Sequence, residues 1–146
     1  AEDDSEKVHE ASVNGGELYD YMKELLERAL MLRDRENENQ GKRILKKALE
    51  YIEENFSDES LSLNSVAGVI GVSGNYFSSV FSQEMKITFI EYVTKKRMEK
   101  AKKLLRQSEM HSGEIAAKVG YKDPHYFSFV FKKTVGCTPR EYRNGR

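Results

Sequence analysis

An all-α chain, built as two helix-turn-helix subdomains joined by a long helix, is what this sequence predicts. Three observations predict it: a segment written twice, apolar residues at helical spacing almost throughout, and only two prolines in 146 residues. Residues 66–92, VAGVIGVSGNYFSSVFSQEMKITFIEY, recur as residues 115–142, IAAKVGYKDPHYFSFVFKKTVGCTPREY. Val66, Ala67 and Gly71 align with Ile115, Ala116 and Gly120; from Ser73 onward the register shifts by one further residue. Tyr76, Phe77, Ser78, Val80, Phe81, Thr88, Glu91 and Tyr92 then return as Tyr126, Phe127, Ser128, Val130, Phe131, Thr138, Glu141 and Tyr142. A short helix, a glycine turn and a second helix make a helix-turn-helix.

Along the chain, residues 1–16 lack periodicity and read as a disordered tail. Leu18, Met22, Leu25, Ala29 and Leu32 alternate steps of four and three, a heptad seam flanked by Tyr21 and Leu26. Residues 17–41 therefore read as a linker helix, able to pair two protomers as a coiled coil through 18–32, with the charged run RDRENENQG breaking the seam. A second amphipathic helix follows over about 42–55, with Leu45, Leu49, Ile52 and Phe56 on one face. It opens the first subdomain, 42–87.

Within that subdomain Val66, Ala67, Val69 and Ile70 face a short helix, and Gly71 supplies a left-handed turn residue. Ser73 is the expected N-cap of the next helix, whose apolar stripe is Phe77, Val80, Phe81 and Met85. The connecting helix, 88–107, opens with the capping box Thr88-x-x-Glu91, and its residues 88–106 span about 28 Å at 1.5 Å per residue. Successive major grooves on one face of a duplex lie about 34 Å apart. The second subdomain, 108–146, repeats the plan with Gly120, Asp123–Pro124 as cap and first helical residue, and Phe127, Val130, Phe131 and Val135 as stripe. Thr138 and Glu141 form a further capping box.

Charge is balanced overall, 24 Lys and Arg against 24 Asp and Glu, but divided along the chain. Residues 1–41 hold 12 acidic against 5 basic residues, net −7; residues 42–146 hold 12 against 19, net +7. The run KKRMEKAKKLLR carries seven bases against Glu99, an electrostatic footprint suited to phosphate backbones. No apolar run approaches the roughly 18 residues of a membrane span. A lone cysteine excludes an internal disulfide framework and fits a reducing cytoplasm. Phosphate-binding loops, nucleophile elbows and metal-ligand spacings are absent, so neither an enzyme nor a cofactor is expected. Cys137 stands where copy one has Ile87 and reads as a small core residue.

Residues 42–143 resemble the AraC/XylS-type DNA-binding domain, through GNYFSSVFSQ, KKRMEKAKKLL, IAAKVGYKDPHYFSFVFKK and G-x-TPREYR. The stretch LLERALMLRDRE…ILKKALEYIEENFSDESLSLNSVA is similar to a subgroup in which a phosphorylated receiver domain precedes the DNA-binding domain. The resemblance implies a bacterial transcription regulator, usually an activator acting through RNA polymerase, that places one helix of each subdomain in the major groove of double-stranded DNA.

On the residues themselves, Gly74, Asn75, Ser78 and Ser79 should lie opposite the apolar stripe of copy one. The family's base-contacting positions fall on Asn75, Ser78 and Ser79, and in copy two on His125, Ser128 and Phe129, with Tyr126 at the margin. Asparagine pairs with adenine, serine with several base edges, and phenylalanine with a thymine methyl. The family often carries arginine where Ser79 and Phe129 stand, which counts against strong guanine readout there. Phosphate contacts are expected from Lys95, Lys96, Arg97, Lys122, Lys132, Lys133, Arg140 and Arg143, and from the helix start at Ser73. The competing reading is a helical protein–protein interaction module that binds no DNA. Repeat arrays of that kind generally need three or more units.

Overall fold

The computed structural model describes residues 15–145. Those residues form seven helices and no strand: α1 (Gly15–Asn55), α2 (Leu63–Ile70), α3 (Gly74–Met85), α4 (Phe89–Gln107), α5 (Ser112–Val119), α6 (Pro124–Val135) and α7 (Pro139–Arg143). Of the expected tail 1–16, residues 1–14 lie outside the described residues, and Gly15 and Gly16 open α1.

Where the sequence led us to expect a second helix after the charged run 33–41, α1 continues through that run to Asn55. Arg, Glu and Gln are good helix formers, so charge ends the apolar seam without ending the backbone hydrogen bonding. The chain divides between Gln40 and Gly41. Up to Gln40 the described helix is exposed along its whole length, Leu18, Met22, Leu25 and Leu32 included. From Gly41 onward Ile44, Ala48 and Ile52 are buried. Gly41 itself is buried because the position its Cβ would take lies 3.7 Å from Val80 Cγ1.

The remainder holds two hydrophobic cores. Ile44, Ala48, Ile52, Val66, Ala67, Phe77, Val80, Phe81, Phe89 and Val93 form the first. Met98, Ala101, Leu105, Ile115, Ala116, Val119, Tyr121, Phe127 and Phe131 form the second. Helix α4 contributes its first half to one core and its second half to the other, and no buried residue belongs to both.

Local signals explain where the elements start and stop. Ser62 and Ser65 cap α2 reciprocally, and Thr88 with Glu91 does the same for α4: Glu91 N donates to Thr88 Oγ1 at 3.2 Å and Thr88 N to Glu91 Oε2 at 2.9 Å. Thr138 and Glu141 repeat this at α7, with both bonds at 3.1 Å. Gly71 and Gly120 end α2 and α5 with φ of 88° and 105°, a region where a Cβ is strained. Lys86 closes α3 at φ 63°, where copy two has Gly136 at φ 96°.

The crossings inside the two subdomains match differently. A Cβ added at Gly74 would fall on Asn64 Oδ1 and 3.3 Å from Leu63 Cδ2. In copy two Pro124 stands at the position of Gly74 and Gly113 at that of Asn64, and a Cβ on Gly113 would meet Pro124 at an ordinary 4.0 Å.

Phe81 and Phe131 are fully buried, each against a tyrosine ring, Tyr92 at 5.5 Å and Tyr142 at 5.7 Å between centroids. Phe81→Ala and Phe131→Ala should each destabilise by about 3–5 kcal/mol. Ser78→Ala should stay within about 0.5 kcal/mol. Urea titration followed by circular dichroism measures all three.

Candidate nucleic-acid interface

The second helix of each subdomain presents the same register of exposed positions. On α3 these are Asn75, Tyr76, Ser79 and Gln83; on α6 they are His125, Tyr126, Phe129 and Lys133, with Lys132 beside them. Spacing of one, four and eight residues keeps each set on one face. The opposite face is pinned by Phe77 and Phe81 in α3, and by Phe127 and Phe131 in α6. Helix starts are fixed as well: Ser73 Oγ accepts from Tyr76 N at 3.2 Å, and Asp123 Oδ1 from His125 N at 2.9 Å.

Among the residues expected to meet bases, Asn75, Ser79, His125, Tyr126 and Phe129 are exposed, and Ser78 and Ser128 are half-buried at the edge of the stripe. Gly74 is half-buried at the crossing with Asn64, where its lack of a side chain serves the packing of α2 on α3. Phe129 is 62% exposed, and its ring stacks on Tyr126 at 6.5 Å and 25°. Two stacked aromatic rings with no core above them form an apolar outward patch on α6. Tyr76 and Gln83 were missed by sequence reasoning; the repeat register itself, which pairs them with Tyr126 and Lys133, was the signal that could have found them.

The expected phosphate contacts divide into two groups. Ser73, Lys95, Lys122, Lys132, Lys133 and Arg140 are exposed. Lys96 pairs with Glu53 at 2.7 Å, and that hydrogen bond raises its pKa above the ordinary lysine value. The pair sits at the surface, where such bridges contribute about 0–1 kcal/mol and exchange readily.

Arg97 and Arg143 make hydrogen bonds within the protein. Arg97 donates from Nε to Phe56 O at 2.7 Å and from Nη2 to Asp58 O at 2.9 Å. Arg143 donates from Nε to Leu105 O at 2.9 Å, and from Nη2 to Ser108 O at 3.2 Å and Met110 O at 2.5 Å. Arg97 thus holds the segment just beyond α1, and Arg143 the last turn of α4 and the segment just beyond it. Asp58 O also accepts from Leu61 N at 3.2 Å. Near Arg97, burial pushes the Tyr121 phenol up while the guanidinium pulls it down.

Among the described residues, no group of three or more His, Cys, Asp or Glu is gathered closely enough to hold a metal ion. No described helix is long and apolar enough to cross a membrane. Cys137 is half-buried between α6 and α7.

Residues 66–145 match the family model described as a helix-turn-helix domain. The fold is similar to the C-terminal domain of AraT, a response regulator from Geobacillus stearothermophilus: 47% identity, TM-score 0.69, covering 70% of this chain and 85% of that one. It is similar also to the C-terminal domain of the two-component response regulator yesN from Fusobacterium nucleatum, at 38% identity and TM-score 0.65, covering 66% of this chain and 93% of that one. Regulatory protein PocR of Salmonella typhimurium is 38% identical over 99 residues, which cover 68% of this chain and 32% of PocR. The chain spans about a third of the length of such curated relatives. With more than half of the chain matched, and both turns, both cores and the connecting helix present, the chain belongs to the AraC-type helix-turn-helix family.

Proposed function

We propose that this protein is a sequence-specific, double-stranded-DNA-binding transcription regulator that reads two adjacent major-groove segments, one with α3 and one with α6. The observation that carries this reading is the repeated register of exposed side chains on two helices whose opposite faces are locked into separate cores. Residues 42–146 supply the net charge of +7 that attracts phosphates.

In this reading Asn75, Ser78 and Ser79 contact bases from α3, with Tyr76 and Gln83 bordering them. His125, Tyr126, Ser128 and Phe129 contact bases from α6. The phosphates are met by Lys95, Lys96, Lys122, Lys132, Lys133 and Arg140, and by the amide-rich helix start at Ser73. The stacked Tyr126 and Phe129 favour thymine methyl groups over guanine edges in the second segment.

The likeness to C-terminal domains of response regulators supports reading the chain as an output domain, with a receiver domain upstream in the whole protein. Activation then runs through contact with RNA polymerase. The exposed seam of Leu18, Met22, Leu25 and Leu32 supports a homodimer through residues 18–32. A cytoplasmic location follows from this role. A helical interaction module without DNA binding is disfavoured, because that reading gives the basic residues on α6 and the paired exposed faces no common task.

Binding to random and selected duplexes, followed by fluorescence anisotropy, tests the central reading. Log affinity should fall with log salt by about 0.9 per phosphate neutralised, and Lys132→Ala should reduce that slope by about 1. An affinity unchanged between low and physiological salt would overturn it. Replacing thymine by deoxyuridine in the second segment should cost wild type about 0.8 kcal/mol for each methyl contacted. Phe129→Ala should lose little more on that replacement, a coupling a double-mutant cycle measures. In analytical ultracentrifugation, residues 1–146 should self-associate and residues 42–146 should sediment as a monomer.

A further inference from the structure

Arg97 and Lys100 lie one turn apart on α4, both half-buried, on either side of Met98, the first buried residue that α4 gives to the second core. Arg97 holds Phe56 O and Asp58 O, in the segment that leads from α1 to α2. The same guanidinium lies 5.1 Å from the centroid of Tyr121, the buried residue that follows the turn of the second subdomain. A Cβ on Gly120 would stand 2.9 Å from Arg97 Nε and 3.0 Å from Cζ, so that turn is shaped around the arginine. At Gly71, the matching turn of copy one, an added Cβ would meet nothing within 4 Å.

Lys100 repeats the arrangement. Its Nζ donates to Ser57 Oγ at 2.8 Å and to Lys118 O at 3.4 Å, and lies 5.6 Å from the Phe56 ring centroid. Two neighbouring side chains thus each reach residues 56–58 of the first subdomain and residues 118–121 of the second. The two buried clusters share no residue, and α4 with this clasp links them. The helix alone fixes the separation and curves only gently, and directional hydrogen bonds from a planar fork add a constraint on how the two subdomains are oriented about it.

We infer that Arg97, with Lys100, sets the angle between the two recognition helices, and thereby the base-pair spacing between the two DNA segments this protein accepts. Both are positioning residues, and the inference rests on the DNA-reading function proposed above.

The test uses a duplex selected by the wild-type chain from a random pool, with the interval between its two segments shortened or lengthened by one and two base pairs. Each base pair displaces the second segment by about 3.4 Å and turns it by about 34°. Wild type should lose about tenfold or more in affinity per step, and Arg97→Ala less than about threefold, with equal affinity for a duplex bearing one segment. Arg97→Lys should behave like Arg97→Ala, because an ammonium lacks the planar fork. Lys100→Met keeps the apolar stem over Phe56, loses both hydrogen bonds, and should also flatten the profile. Circular dichroism checks folding; if Arg97→Ala unfolds, Lys100→Met decides alone. Variants that fold and keep the wild-type spacing profile overturn the inference and leave DNA reading intact. A wild-type chain that binds no duplex brings down both.

Discussion

Aromatic packing behind α3 and α6 is the constraint on which everything else here depends. In the first subdomain Phe77, Phe81 and Phe89 meet pairwise at 5.8 Å, and Tyr92 closes on Phe81 at 5.5 Å. In the second, Phe127 and Phe131 meet at 5.9 Å, Tyr142 closes on Phe131, and Tyr121 lies 5.7 Å from Phe127. Copy two has Pro139 where copy one has Phe89, and Tyr121 where copy one has Val72. The ring lost on one side of the core is thus returned from the turn. Tilted and edge-to-face ring pairs fix the inward faces of α3 and α6, and the outward register is set with them.

Most of this was legible in the sequence because it is local. Caps at Ser73, Thr88, Asp123 and Thr138, the turns at Gly71 and Gly120, and the buried stripes were all written within a few residues of where they act. The uninterrupted passage of α1 through residues 33–41 was less legible, since loss of an apolar seam and loss of a helix look alike in a pattern of charges. The site divided along the same line. Exposure of Asn75, Ser79, His125 and Phe129 follows from period alone. The occupation of Arg97 and Arg143 does not, because their carbonyl partners lie 33 to 41 residues away.

Those two arginines show how one chemical device is used twice. Arg97 lies nine residues beyond Thr88 and Arg143 five beyond Thr138, a difference close to one helical turn. Arg97 reaches back to Phe56 and Asp58 just beyond α1, and Arg143 to Leu105, Ser108 and Met110 at and just beyond the end of α4. In both, the planar fork of arginine is spent on backbone carbonyls, while Lys95, Lys122, Lys132 and Lys133 stay at the surface.

The crossings at Gly74 and Pro124 have a further bearing on how the two halves diverged. Copy one sets a bulky Asn64 against a bare Gly74, and copy two a bare Gly113 against a ring at Pro124. Volume is conserved across each pair and exchanged between its members. A proline grafted alone onto position 74 would meet an asparagine already filling the gap, and a glycine grafted alone onto position 64 would leave a hollow. Swapping sequence between the halves therefore has to move both members together, so substitutions at this crossing are expected to travel in pairs.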